Sequence, residues 1–147
     1  MNAVKVDSEV QVKSKKLVAI DPGKTIGFAF FNGEELQLSG FFNNSYSAIS
    51  RMFELILMFE PDELVIESFR LYPWKAKEQY WSDFETPEII GIIKYWAWNQ
   101  NIKIVMQPAS NKIPFPDERL RKLNVYVPNN HARDAVRHGL YRIKFGK

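Results

Sequence analysis

LVAIDPGKTIGFAFF, residues 17–31, is a stretch that folds back on itself. A short apolar run, Leu17 to Ile20, ends in the carboxylate of Asp21, and Pro22-Gly23 then reverses the chain. Proline presets φ at the second position of a turn and glycine accepts φ > 0 at the third, so residues 21–24 read as a type II turn. Ile26, Phe28 and Phe30 then alternate as a returning strand. Gly27 and Ala29 leave the other face of that strand bare, open to the close approach of a bulky ligand backbone. An acid at the mouth of a buried strand, beside bare surface, points to a metal-dependent site. The plainer alternative is a hairpin whose turn begins with Asp because Asp favours turns.

Working outward, Asn32-Gly33 is a strong hairpin signal, since both residues accept φ > 0. Leu36 and Leu38 alternate with Glu35 and Gln37 in a third strand ending near Phe41. Asn44 or Ser45 caps a helix with the apolar stripe Ile49, Met52, Phe53, Ile56 and Leu57, and Pro61 stops it. Leu64-Val65-Ile66-Glu67 repeats the pattern of the first strand, a buried run ending in a carboxylate. Thr86 and Pro87 read as cap and first residue of a helix whose body, 88–98, is apolar nearly all round. Ile102 to Met106 is a fifth strand ended by Pro108. Residues 107–128 read as irregular and proline-rich, with a basic cluster at Arg119, Arg121 and Lys122. Asn129 or Asn130 caps a last helix running to about Ile143, with Ala132, Val136, Leu140 and Ile143 as its core stripe. His131, Asp134 and His138 share another face of it. Three antiparallel strands followed by alternating helix and strand predict an α/β fold with a mixed five-stranded sheet and helices on both faces.

At 147 residues, with 46% apolar and 14% aromatic content, the chain reads as one globular domain, 17–147, behind a polar arm, 1–16. No apolar run approaches a membrane span, and the absence of cysteine excludes disulfides, thiolate chemistry and Cys-based zinc sites. A cytoplasmic protein is expected. The net charge of +3 permits a nucleic-acid partner without requiring one.

Residues 68–85, SFRLYPWKAKEQYWSDFE, interleave large aromatics with Arg70, Lys75 and Lys77. Such a segment suits base stacking and phosphate contact. The alternative is a loop folded over the core as a hydrophobic cover.

Three acids end buried strands or sit on the polar face of a docking helix: Asp21, Glu67 and Asp134, with His131 one turn before the last. If strands one and four are parallel neighbours, Asp21 and Glu67 leave the same sheet edge about 5 Å apart. Such a cluster repels itself unless cations hold it together. Oxygen donors with at most one imidazole favour Mg²⁺ or Mn²⁺ over zinc. Two such ions would serve phosphodiester cleavage.

IDPGKTIGFAF at 20–30, LVIESF at 64–69 and HARDAVRHGLYR at 131–142, in that order, resemble the RuvC-type Holliday junction resolvases of the RNase H-like superfamily, especially small phage-encoded members. The resemblance runs over roughly residues 17–143. It implies an RNase H-like fold and a crossover junction endodeoxyribonuclease that hydrolyses phosphodiesters with two metal ions and leaves 5′-phosphate and 3′-hydroxyl ends. It further implies Asp21, Glu67 and Asp134 as metal-binding carboxylates, with His131 in the fourth position, which holds Asp or His in the family. His131 would bind metal through a neutral nitrogen or carry the proton of the leaving group. Lys112 resembles the family's basic residue near the scissile phosphate, an ordinary loop lysine being the alternative. His138 reads as a surface residue or a partner of Asp134.

The family acts as a two-fold dimer, for which the 88–98 helix is the candidate interface. Phe69, Tyr72 and Trp74 are candidates for an aromatic inserted at the junction. Arg70, Lys75, Lys77, Arg119, Arg121 and Lys122 would contact the phosphate backbone, with binding that weakens steeply in salt. Departures from the family are the longer segment before strand one and the proline-rich 107–128. The rival readings are a less selective RNase H-like nuclease and a non-catalytic branched-DNA-binding module. An actin-like kinase also begins with an Asp-Gly phosphate loop, but this chain is too short for its two domains.

Overall fold

A computed structural model describes residues 14–69 and 85–146. Five strands form one mixed, open sheet: β1 (Lys16–Asp21), β2 (Thr25–Asn32), β3 (Glu35–Asn43), β4 (Glu63–Glu67) and β5 (Lys103–Gln107). Their spatial order is β3-β2-β1-β4-β5. β1, β2 and β3 pair antiparallel, whereas β4 lies parallel to both β1 and β5. Helices α1 (Tyr46–Phe59), α2 (Glu85–Asn99), α3 (Asp117–Lys122) and α4 (Asn130–Phe145) complete the fold, with a 3₁₀ turn at Ala109–Lys112.

The period of two along a strand sorts the core into two layers. Val18, Ile20, Phe28, Phe30, Leu64 and Ile66 face α1 and α2, packing on Ile49, Met52, Ile56, Ile89, Ile90, Ile93 and Ala97. The rings of Phe53 and Trp96 stack 4.0 Å apart and join these two helices. On the other face Leu17, Ala19, Ala29, Phe31 and Val65 meet Ala135, Val136 and Leu140 of α4, with Phe115 and Leu120 beside them. The expected mixed sheet with helices on both faces is the observed one.

Local signals account for most element ends. Ser45 caps α1, its hydroxyl accepting from Ala48 N at 3.0 Å, and Glu60 closes it at φ 56° just before Pro61. Asn129 caps α4, its side-chain oxygen accepting from the backbone N–H groups of His131 and Ala132, both at 3.0 Å. At the β2–β3 hairpin only the glycine takes the left-handed region: Gly33 has φ 62°, while Asn32 remains in β2 opposite Glu35.

Several expectations are corrected. Gly23 does not adopt positive φ, so the chain reverses after Asp21 through a bend rather than a type II turn. Helix α2 begins at Glu85, which places Thr86 and Pro87 inside its first turn, where a missing N–H costs no helical bond. Residues 107–128 are not irregular throughout. They hold the 3₁₀ turn and α3, which puts Arg119, Arg121 and Lys122 on a helix. The end of the expected polar arm is also tied down. Lys16 opens β1, and the carbonyl of Lys15 accepts from Gly33 N at 2.8 Å.

The bare face at Gly27 is filled by the protein itself. A Cβ placed on Gly27 would lie 2.0 Å from the carbonyl oxygen of His131, so the glycine lets the first turn of α4 rest on β2. A Cβ on Gly139 would likewise meet the Phe31 ring at 2.4 Å. These two contacts set the height of α4 over the sheet, and with it the placement of His131 and Asp134.

Candidate active site

Asp21, Glu67 and Gln107 terminate β1, β4 and β5 at the same edge of the sheet. Asp21 and Glu67 each follow the register pair Ile20 and Ile66, and Glu67 is itself paired with Gln107. They share strand parity with Ala19, Val65 and Val105, so their side chains emerge on the face covered by α4. Helix α4 answers with His131, Asp134 and His138 on its sheet-facing side. Sequence periodicity and sheet order thus bring together three acids that lie 46 and 67 residues apart.

Lys112, from the 3₁₀ turn after β5, stands at the centre of this set. Its Nζ lies 2.9 Å from Glu67 Oε2 and 3.3 Å from Asp134 Oδ2. Burial depresses the affinity of its ammonium for a proton, but the hydrogen bond and charge of Glu67 and the charges of Asp134 and Asp21 outweigh that, and its pKa is raised. Glu67 shows the mirror effect. Burial works against its ionised form, yet hydrogen bonds from His138 and Lys112 prevail and lower its pKa.

Asp21 has no such compensation. It is 8% exposed, and its carboxyl is pushed up to about 8 by burial first, then by the charges of Glu67 and Asp134, with Lys112 opposing. His131 approaches it from the rim, Nδ1 standing 3.6 Å from Asp21 Oδ2. The cluster therefore holds more carboxylate than cation, and its shortage is centred on Asp21.

Asp134 is held from two sides. Lys112 takes Oδ2, and Arg137 donates to Oδ1 at 2.7 Å. Arg137 also donates to the carbonyl of Phe115 at 2.7 Å and to the carboxylate of Asp117 at the start of α3. The guanidinium thereby links the basic helix α3 to a site carboxylate.

His138 is not a surface residue. It is fully buried, with Nε2 2.6 Å from Glu67 Oε2 and Nδ1 2.9 Å from Gln107 Nε2. Sequence reasoning missed His138 as a partner of Glu67, and it missed Gln107 and Arg137 altogether. The only signal available was the i, i+3, i+7 face shared by His131, Asp134 and His138.

Among the described residues no three His, Asp or Glu side chains close on a single metal position. The Lys112 ammonium bridges Glu67 and Asp134 where a cation would be shared. The donors nevertheless fit Mg²⁺ or Mn²⁺ by their chemistry, because they are hard carboxylate oxygens whose charge is under-compensated at Asp21.

Of the expected DNA-contacting residues, Arg70, Tyr72, Trp74, Lys75 and Lys77 lie outside the described residues. Phe69 is half-buried and packs against the apolar cluster under α1 and α2. Arg119 donates to the carbonyl of Pro114 at 2.9 Å and lies over the Phe115 ring. Arg121 stacks over Tyr126, while Lys122 is exposed. None of the three touches the acids. The helix that carries them is tied to Asp134 through Asp117 and Arg137.

No family model matches the chain, and no curated protein matches it. Solved structures do. T. thermophilus RuvC in complex with a Holliday junction substrate is 14% identical with a TM-score of 0.69, covering 87% of this chain and 92% of that one. The Fowlpox virus resolvase in complex with substrate Holliday junction DNA is 16% identical with a TM-score of 0.59, covering 87% and 98%. The yeast mitochondrial Holliday junction resolvase is 12% identical with a TM-score of 0.52, covering 92% and 79%. At these identities the likeness is one of architecture, and it extends over 87–92% of this chain and 79–98% of the chains compared. The chain has the fold of T. thermophilus RuvC and of these viral and mitochondrial Holliday junction resolvases.

Proposed function

We propose that this protein is a divalent-metal-dependent endonuclease that resolves four-way or closely related branched DNA, acting as a homodimer. One observation carries the reading. Asp21, Glu67 and Asp134 converge from β1, β4 and α4 at one sheet edge, with a lysine in their midst and a histidine at their rim. The fold shared with junction resolvases supplies the substrate class.

Asp21, Glu67 and Asp134, together with His131, would hold Mg²⁺ or Mn²⁺, two ions per site by the family resemblance. Such ions supply neutralisation of the scissile phosphate and activation of water. The protein's own groups do the rest. Glu67 is kept ionised by His138 and Lys112, and Asp134 is oriented by Arg137 and Lys112. Lys112, half-buried between two carboxylates, is placed to meet a phosphate oxygen as well. Where it does not hold metal, His131, whose side chain is 45% exposed at the rim, would instead hand a proton to the departing 3′ oxygen. Arg119, Arg121 and Lys122 on α3 would bind the phosphate backbone beside the site.

The second active site needed for paired cuts would come from a second copy. We assign the interface to α2. Tyr95 and Trp98 are exposed on it, and a Cβ on Gly91 would meet nothing within 4 Å. An exposed aromatic face of this kind favours a partner.

The experiment is a comparison of binding and cutting with Asp134→Asn. The variant should bind a four-way junction about as tightly as the wild-type protein while losing cleavage. A wild-type protein that binds junctions and never cuts them would instead be a binding module.

A further inference from the structure

Glu67, Gln107 and His138 form a hydrogen-bonded triad beneath the acid cluster. His138 has no solvent exposure and Gln107 is 4% exposed. Gln107 Nε2 lies 3.1 Å from the backbone carbonyl oxygen of His138 and 2.9 Å from its Nδ1. A carbonyl oxygen only accepts, so the side-chain atom facing it is the amide nitrogen. The two N–H bonds of that nitrogen go to the carbonyl and to Nδ1, which makes Nδ1 an acceptor. In a neutral imidazole the single proton then resides on Nε2, which is 2.6 Å from Glu67 Oε2.

We propose that His138 is the positioning residue of Glu67: Gln107 locks its imidazole as the Nε2–H tautomer, and that N–H holds Oε2 beside the Lys112 ammonium that joins Glu67 to Asp134. Oε2 accepts from both His138 and Lys112, while Oε1 accepts no hydrogen bond from the described residues. All three members of the triad lie on elements that cannot shift independently. Glu67 and Gln107 are register partners on adjacent strands, and His138 is on the helix that Gly27 and Gly139 seat against the sheet.

A packing role alone does not explain this residue. Leucine or phenylalanine would fill the space without a polar atom, whereas a buried imidazole is destabilising unless both nitrogens are satisfied. Here both are, and one of the bonds is directed at a site carboxylate. Outer residues of this kind orient a metal-binding group and are typically worth about 10–100-fold in metal affinity or activity. The inference rests on the reading of Glu67 as a site carboxylate.

Two experiments on the full chain decide it. Long-range ¹H–¹⁵N correlation on ¹⁵N-histidine protein, without metal or DNA, reads the tautomer, with His138→Gln identifying which of the two histidines is which. An unprotonated Nδ1 and protonated Nε2 are expected for His138, and a proton on Nδ1 would overturn the proposal. The second compares His138→Leu with His138→Gln, whose amide restores an N–H donor near Nε2. Affinity for Mn²⁺ alone, measured by calorimetry, should fall about 10–100-fold in the leucine variant and largely recover in the glutamine variant. Equal losses in both variants, or no loss in the leucine variant, would overturn the proposal. Should the leucine variant fail to fold, the tautomer and the glutamine variant still decide. A protein that keeps this Mn²⁺ ordering but never cuts a junction would refute the proposed function and leave this inference standing.

Discussion

Gly27 of β2 and His131 of α4 touch backbone to backbone, at a distance that leaves no room for a side-chain carbon: a Cβ on Gly27 would lie 2.0 Å from the His131 carbonyl oxygen and 2.7 Å from Ala132 N. The strand opposite Asp21 thus determines how closely the His131–Asp134 turn approaches the acids, since Gly27 is also the register partner of Asp21. Gly27→Ala must lift that turn, because both neighbours are main-chain atoms. Overpacking of this kind costs about 1–3 kcal/mol, occasionally more. The midpoint of urea unfolding should fall, with unchanged slope. An unshifted midpoint would mean that α4 is not seated on this glycine.

Asp21 gives a pH dependence whose sign is fixed by its environment. Its folded pKa is raised to about 8, by burial and by Glu67 and Asp134, from an ordinary value of 3.8. Between those values the folded protein holds a proton that the unfolded chain has released, so the metal-free protein should lose stability as pH rises through the window. Asp21→Asn removes the repelled charge. It should raise the melting temperature of metal-free protein at pH 8 more than at pH 5, by on the order of a few kcal/mol in stability, while abolishing cleavage. A stabilisation equal at both pH values would show that the burial of this carboxyl has been misjudged.

Lys112 is the shared counter-charge of Glu67 and Asp134. Lys112→Met should destabilise the metal-free protein by about 1–3 kcal/mol, as for loss of charged hydrogen bonds. Added Mg²⁺ should then stabilise the variant more than it stabilises the wild-type protein, because the carboxylates have lost their internal cation. Thermal unfolding with and without Mg²⁺ reads both effects. Equal Mg²⁺ shifts in the two proteins would count against a common position for ammonium and metal.

The opposite end of the sheet is built for stability. Glu63, 1% exposed, accepts from Arg142 Nε at 2.6 Å and pairs with Lys15 Nζ at 3.1 Å. Burial opposes its charge, but Arg142 and Lys15 outweigh that and lower its pKa. Its contribution is present above the unfolded value near 4.5 and is lost as pH falls through the lower folded one. Arg142→Met should cost about 1–3 kcal/mol near neutral pH and less in acid, leaving cleavage per folded molecule unchanged. Loss of cleavage without loss of stability would place Arg142 in the site.

Much of this was legible in the sequence, and the parts that were not share a cause. Alternation in residues 17–38 and the stripe of α1 are local patterns that carried the sheet and its helices, and the acids ending β1 and β4, with Asp134 on α4, supplied the proposed site carboxylates. Helix α3 was hidden because it is a single short helix entered through Pro116, itself extended at φ −68° and ψ 164°. His138 was misread because its partners, Glu67 and Gln107, are 71 and 31 residues away and belong to β4 and β5. Nothing near position 138 records that a strand-end carboxylate lies beneath it. Gly27 was recognised as bare surface, but its occupant came from the far end of the chain.

The most direct test is cleavage of a labelled four-way junction beside a linear duplex of the same sequence, with Mg²⁺, with Mn²⁺ and with chelator, and with Asp134→Asn as the control. Paired symmetric nicks on the junction alone, dependent on the metal and absent in the variant, are the predicted result. Equal cutting of junction and duplex, or tight junction binding with no cutting under any condition, would contradict the account.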